Sequence, residues 1–195
     1  CTYYKAVMPR RNLHVIGFDD APFEPGHRGD VPVVGAVFSG PRLDGVLCGR
    51  VRRDGANATR VIADLTRRSR FFPQIHAVLL QGIAVAGFNV VDLPALHRLL
   101  GLPVIVVCRR KPDQDAVREA LLNRVPGGGR KWRRLQRAGA PHKAGALWLQ
   151  CAGTTPAAAA ALLAPLCLSG TLPEPLRAAH LIAGGLARGE NTSRP

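Results

Sequence analysis

Apolar runs with strand-like character open the chain. Leu13 to Phe18 is a short run ending in the acidic pair Asp19 and Asp20, the pattern of a buried central strand that delivers carboxylates to its end. Ala21 to Gly29, with Pro22, Pro25 and Gly26, reads as a loop. Val31 to Ser39 and Leu43 to Val51 are two more β-rich runs separated by Gly40 and Pro41, so the first three strands are expected to form an antiparallel meander, with Asp54 just beyond the third. From Asn57 the period changes. Ala58, Val61, Ile62 and Leu65 recur at helical spacing, with Asn57 as the expected N-cap and Arg67, Arg68 and Arg70 near the last turn.

The second half alternates strand-like and helix-like segments. Ala77 to Ile83 suits a strand buried on both faces, Gly82 to Asn89 reads as a glycine-bearing loop, and a helix follows from Leu93 to Leu100 with Asp92 as its N-cap. Pro103 to Cys108 is another buried strand, followed at once by Arg109, Arg110 and Lys111; Asp113 then caps a helix carrying Val117, Ala120, Leu121 and Val125. Strands alternating with helices imply parallel crossover units. In the basic stretch Gly127 to Lys143 a short helix is expected over 131–136. Ala146 to Cys151 then reads as a strand, Thr155 and Pro156 open an alanine-rich helix, and a last helix spans Leu176 to Ala187. These elements predict one α/β domain over 13–190: a mixed sheet, three antiparallel strands and then parallel ones, flanked by helices. Residues 1–12 and 191–195 are expected to be flexible tails.

Composition adds a polyanion. The 195 residues carry 27 Lys and Arg against 13 Asp and Glu, a net charge of +14, and lysine stands only at positions 5, 111, 131 and 143. An arginine-dominated surface suits planar, bidentate phosphate contacts, although coding bias can also enrich arginine. No run of about 18 apolar residues is present, so neither a membrane span nor a secretory leader is expected and the protein is placed in the cytoplasm. Cys1, Cys48, Cys108, Cys151 and Cys167 are odd in number and far apart, and read as buried free thiols. With Met8 the only methionine, residues 1–7 receive no functional role.

The order of elements is that of the ribonuclease-H-like fold. In addition, HVIGFDDAPFE from His14, RRDGANAT from Arg52, GIAVAGFNVVDL from Gly82, LPVIVVCRRKPD from Leu102 and PEPLRAAHLIAGGLARGE from Pro173 resemble the endonuclease dU family, relatives of endonuclease V. The resemblance implies a metal-dependent hydrolase that nicks DNA at a deaminated base, deoxyuridine. DNA is then the expected partner ahead of RNA.

Hydrolysis of a phosphodiester with Mg²⁺ or Mn²⁺ needs hard oxygen ligands converging on one spot. Asp20 with Asp19 beside it fits the end of the first strand, with one of the two pointing into the site because neighbouring strand residues face opposite ways. Asp54 fits the second place, though a plain Asp-Gly turn would explain it too. At the end of the fourth strand, where the endonuclease V relatives carry Asp, this chain has Gln81; a neutral amide predicts weaker binding or a single ion. Glu190, near the end of the last helix, is a further candidate ligand. Arg109, Arg110 and Lys111 follow a strand where those relatives place a lysine near the scissile phosphate, so Arg110 and Lys111 are expected to stabilise transition-state charge. His180 is a candidate for proton transfer, against an ordinary structural role. The glycines of 82–89 match neither phosphate-loop pattern. For nucleic-acid contact the candidates are Phe88 stacking on an extruded base, Asn89, Arg109, Arg130 and Lys131, with Trp132 as a stacking platform.

Overall fold

Valine-rich, β-branched runs form the opening meander: β1 (His14–Asp20), β2 (Asp30–Ser39) and β3 (Arg42–Arg52) pair antiparallel in sequence order. The structure is a computed structural model and describes residues 13–168 and 170–191. The expected tails 1–12 and 192–195 lie outside the described residues, whereas Asn191 folds back so that its Nδ2 donates to the His180 carbonyl at 3.1 Å.

After the meander, α1 (Ala58–Arg68) returns the chain to the amino edge of the sheet, and β4 (Ala77–Gln81) runs parallel to β1. A small separate hairpin, β5 (Ala84–Val85) with β6 (Asn89–Val90), leads into α2 (Leu93–Leu100); β7 (Val104–Cys108) then lies parallel to β4. The chain continues through α3 (Gln114–Arg124), α4 (Gly128–Arg137), β8 (His142–Ala144), β9 (Leu147–Ala152), α5 (Pro156–Leu163) and α6 (Glu174–Arg188). The main sheet has seven strands in the order β3-β2-β1-β4-β7-β9-β8, with β9 antiparallel to both its neighbours. The carboxyl ends of β1, β4 and β7 therefore share one edge, the place where open α/β sheets carry their sites.

Two apolar layers hold the sheet. Ile16, Phe18, Val78 and Leu80 pack with Ile62 of α1 and Leu93 and Leu96 of α2 on one face, while Val15, Leu79, Ile105 and Leu149 pack with Leu163 of α5 and Leu176 and Ala179 of α6 on the other. Each buried Leu or Ile contributes roughly 2 kcal/mol of apolar transfer.

The structure corrects several expectations. Gly82 to Asn89 is not a plain loop but contains the β5–β6 hairpin; its strands are only two residues each, below what periodicity can register. Helix α4 is longer than 131–136, and the short edge strand β8 emerges from the basic stretch. Asn57 stands at the N-cap of α1 but makes no capping bond; the Asn89 side chain does that work. Asp92, Asp113 and Thr155 do cap their helices. Cys48, expected to be buried, is exposed, and no disulfide links the described cysteines. Among the described residues no helix is long and apolar enough to cross a membrane.

Candidate active site at the carboxyl edge

Strand alternation separates Asp19 from Asp20. Val15 and Gly17 face α6, so Asp19 does as well, and its Oδ2 lies 2.8 Å from Nδ1 of His180 on that helix. The helix comes this close because position 17 has no side chain: a Cβ there would sit 2.6 Å from the Pro175 carbonyl carbon and 2.7 Å from its oxygen. Gln81 belongs to the same face. Phe18 and Leu80 are register partners in the parallel β1–β4 pair, so the next residues along, Asp19 and Gln81, end the two strands side by side. An ionised Asp19 can only accept, so in the neutral ring the imidazole proton sits on Nδ1 and the lone pair on Nε2. Both His180 Nε2 and Gln81 Oε1 are buried with no hydrogen-bond partner among the described residues. Unmet buried acceptors cost about 1–3 kcal/mol each, and two beside a buried carboxylate mark a place built to receive something.

Asp20 faces the opposite way. Its Oδ2 accepts the Ala86 N–H at 2.9 Å, in the turn between β5 and β6. Asp54 grips the same turn: Oδ1 accepts the Phe88 N–H at 2.8 Å, and its own N–H donates to the Ala86 carbonyl at 2.9 Å. Gly87 between them has φ +80, and a Cβ there would lie 2.5 Å from Asp54 Oδ1, so the turn requires glycine. Burial, followed by the Asp19 charge, pushes the Asp20 carboxyl up to about 6, against the Ala86 N–H and His180, which pull it down. Asp20 and Asp54, expected to share a metal ion, both hold the 86–88 turn. Among the described residues no group of three or more His, Cys, Asp or Glu is placed to hold a metal ion.

Two expected nucleic-acid contacts are internal struts instead. Asn89 is fully buried; its Oδ1 accepts the Ala58 N–H at 3.0 Å, and its Nδ2 donates to the Arg52 carbonyl at 2.9 Å and to Asn57 Oδ1 at 2.7 Å. Lys131 is 4% exposed and its Nζ donates to the Asp54 carbonyl. Desolvation pushes its ammonium below the usual lysine range, partly offset by Asp54. Arg134 also turns inward, donating to the Val90 carbonyl at 3.1 Å, while Arg137, paired with Asp92, and Arg130 are exposed.

Phe88 and Trp132 are half-buried and line a cleft of about 570 Å³ with Gly82, Val117, Leu135 and Gln150. Arg109, Arg110 and Lys111 are exposed beyond β7, and Lys111 Nζ lies 5.6 Å from the centre of the Trp148 ring. Glu190 is exposed, just past the Gly189 cap that ends α6.

The sequence model of one family, endonuclease dU, matches residues 11–187. The chain belongs to the endonuclease dU family. A UPF0215 protein of Deinococcus radiodurans is 55% identical over 184 residues, 94% of each chain. The crystal structure of a protein of unknown function from Archaeoglobus fulgidus superposes with a TM-score of 0.84 at 34% identity, over 89% of this chain and 98% of that one. Endonuclease V from Bacillus subtilis superposes at 0.60 with 12% identity, over 96% and 86% of the two chains, so it shares the ribonuclease-H-like fold.

In this endonuclease dU chain, Asp19 and not Asp20 meets His180. The sequence signal for that contact is the glycine two residues before Asp19. A small residue in a buried strand marks the side on which another element approaches, and here that element brings His180.

Proposed function

We propose that the protein is a metal-dependent endonuclease that hydrolyses a phosphodiester bond of DNA beside a deaminated base, deoxyuridine. Family membership, the fold shared with endonuclease V and the charge of +14 support this reading. The observation that carries it is the pair of buried, unpartnered acceptors, His180 Nε2 and Gln81 Oε1, beside Asp19. The donor set fits a single hard cation: Asp19 offers a carboxylate oxygen and Gln81 an amide oxygen, with one formal charge between them. When bound, Mg²⁺ or Mn²⁺ supplies Lewis acidity toward a phosphoryl oxygen.

The remaining chemistry belongs to the chain. Asp19 fixes the His180 ring and its tautomer, leaving Nε2 to take the proton of an attacking water and Asp19 to stabilise the imidazolium that results. Arg109, Arg110 and Lys111 stand beyond β7, where exposed cations attract the strand and stabilise charge on the phosphoryl group. The cleft lined by Phe88 and Trp132 opens beside Gly82, the neighbour of Gln81, and has the size and aromatic walls to take an extruded base.

A deoxyuridine-containing duplex incubated with Mn²⁺ or Mg²⁺ is expected to be nicked by the wild type and left intact by Asp19→Asn and His180→Ala. Failure of the wild type to cut uracil-, hypoxanthine- or flap-containing substrates would overturn the reading. The neutral Gln81, together with the lack of a three-ligand cluster among the described residues, favours a second one: a nucleic-acid-binding protein of the same fold with weakened chemistry. That reading predicts salt-sensitive DNA binding unchanged by EDTA, without turnover.

A further inference from the structure

The loop between β1 and β2 has no part in the reaction above, yet it is carefully held. With the end of β3 it walls a cleft of about 440 Å³ on which His27, Arg28, Arg52, Arg53 and Asp54 converge. Arg53 is fixed from several sides: its backbone N–H donates to the Gly29 carbonyl at 2.9 Å, its Nη1 donates to the His27 carbonyl, and its guanidinium stacks 5.3 Å from the centre of the Phe23 ring. Its Nε lies 3.3 Å from Asp54 Oδ2 without hydrogen-bond geometry, and is buried with no other partner among the described residues. Arg28 and Arg52 are exposed at the mouth, Arg52 making only a long 3.9 Å approach to Asp30.

Three arginines and a single carboxylate, Asp54, thus line one concave setting, an excess of positive charge that an anion would offset. Asp54 ties this cleft to the aromatic one. It lines the basic cleft and also holds the 86–88 turn, whose Gly87 and Phe88 line the other, so one carboxylate and one turn stand between them. A nucleotide has the same two-part character, a flat base joined to a phosphodiester.

We infer that the cleft formed by residues 25–29 and 52–54 binds the sugar-phosphate backbone of the nucleic-acid strand, gripping a phosphate on the far side of the 86–88 turn from the base. The inference rests on the nucleic-acid reading above but not on turnover. A strand, not a free nucleotide, is the occupant because the cleft is open and its outer arginines stand exposed along the path of a continuing chain.

The test is fluorescence anisotropy of a labelled single-stranded oligonucleotide containing one deoxyuridine, titrated with the full chain in EDTA over a series of salt concentrations. Arg28→Ala with Arg52→Ala is expected to weaken binding about tenfold and to make the log–log salt slope shallower by about one per arginine removed. Arg67→Ala with Arg68→Ala, at the opposite edge of the sheet, is expected to leave both unchanged, and thermal melting checks that each variant is folded. Unaltered affinity and slope in the cleft variant, or an equal loss in the far-edge pair, would overturn the inference. So would free dUMP competing as well as the oligonucleotide, which would make the cleft a mononucleotide pocket. If the cleft variant fails in these ways while the wild type still nicks, only this inference falls. If nicking is absent but binding still depends on the cleft, it is the nuclease reading that falls.

Discussion

Asp19 and Asp20 are neighbours in the chain and end in opposite circumstances. Asp20 looks toward the β5–β6 hairpin, where the side chains of Asp54, Asn89 and Lys131 bind backbone groups of neighbouring segments across the layers of the fold. Asp19 looks toward α6, where its partner His180 presents a second nitrogen, and Gln81 an oxygen, that no described residue meets. Polar groups satisfied within the chain build a scaffold, while groups left unsatisfied at a strand end await a ligand.

The contrast can be broken by mutation. The largest effect is expected from His180→Ala, which should lower the nicking rate at least about 100-fold, the usual scale of a lost general base, while the melting curve barely moves. Asn89→Ala should do the reverse. It strips a buried cap and two further hydrogen bonds, so chemical denaturation should show a loss of about 3 kcal/mol. A stable Asn89→Ala protein would mean that the hairpin face is not the scaffold described.

Asp20→Asn tests the same face by pH. The folded-state pKa of Asp20, about 6, lies above the ordinary aspartate value of 3.8. Folding therefore favours the protonated acid: its stabilising contribution is complete below the unfolded pKa and is lost as pH rises through the folded one. An asparagine keeps an acceptor for the Ala86 N–H without the charge. The variant should thus gain about 2 kcal/mol over the wild type above pH ~7, with the gain vanishing near pH ~4, read from urea melts across that range. The smallest effect sharpens the other face: Gln81→Asp adds a charge beside Asp19 and should tighten Mn²⁺ binding about tenfold by titration calorimetry, with unchanged affinity counting against Gln81 as a ligand.

Much of the architecture was legible from period and punctuation. The meander, the two parallel strands and the capped helices follow from alternation, apolar runs and Asp, Thr and Pro at helix starts, and these agree with β1 to β4, β7, α2, α3 and α5. What escaped was set by distant packing. The hairpin strands are too short to show a period, and in α4 the apolar Trp132 and Leu135 line the cleft while basic side chains turn inward, so nothing in GGRKWRRLQR reveals that Lys131 and Arg134 donate to backbone carbonyls. Asn89 sits in a glycine-bearing segment that reads as ligand-facing, yet its amide caps a helix that starts 31 positions earlier. For the site, the sequence offered the right residue types at the end of β1 and on α6. It could not say which acid meets the histidine, because that depends on which face α6 covers.

The bare α-carbon at position 17 has a further consequence. With backbone resting on backbone, the height of α6 above the sheet is set by atoms that have no alternative rotamer, and His180 inherits that height. Replacing Gly17 with even a methyl-bearing residue would act as a shim under the helix, tilting the imidazole away from its acid while removing none of the polar side chains of the proposed reaction.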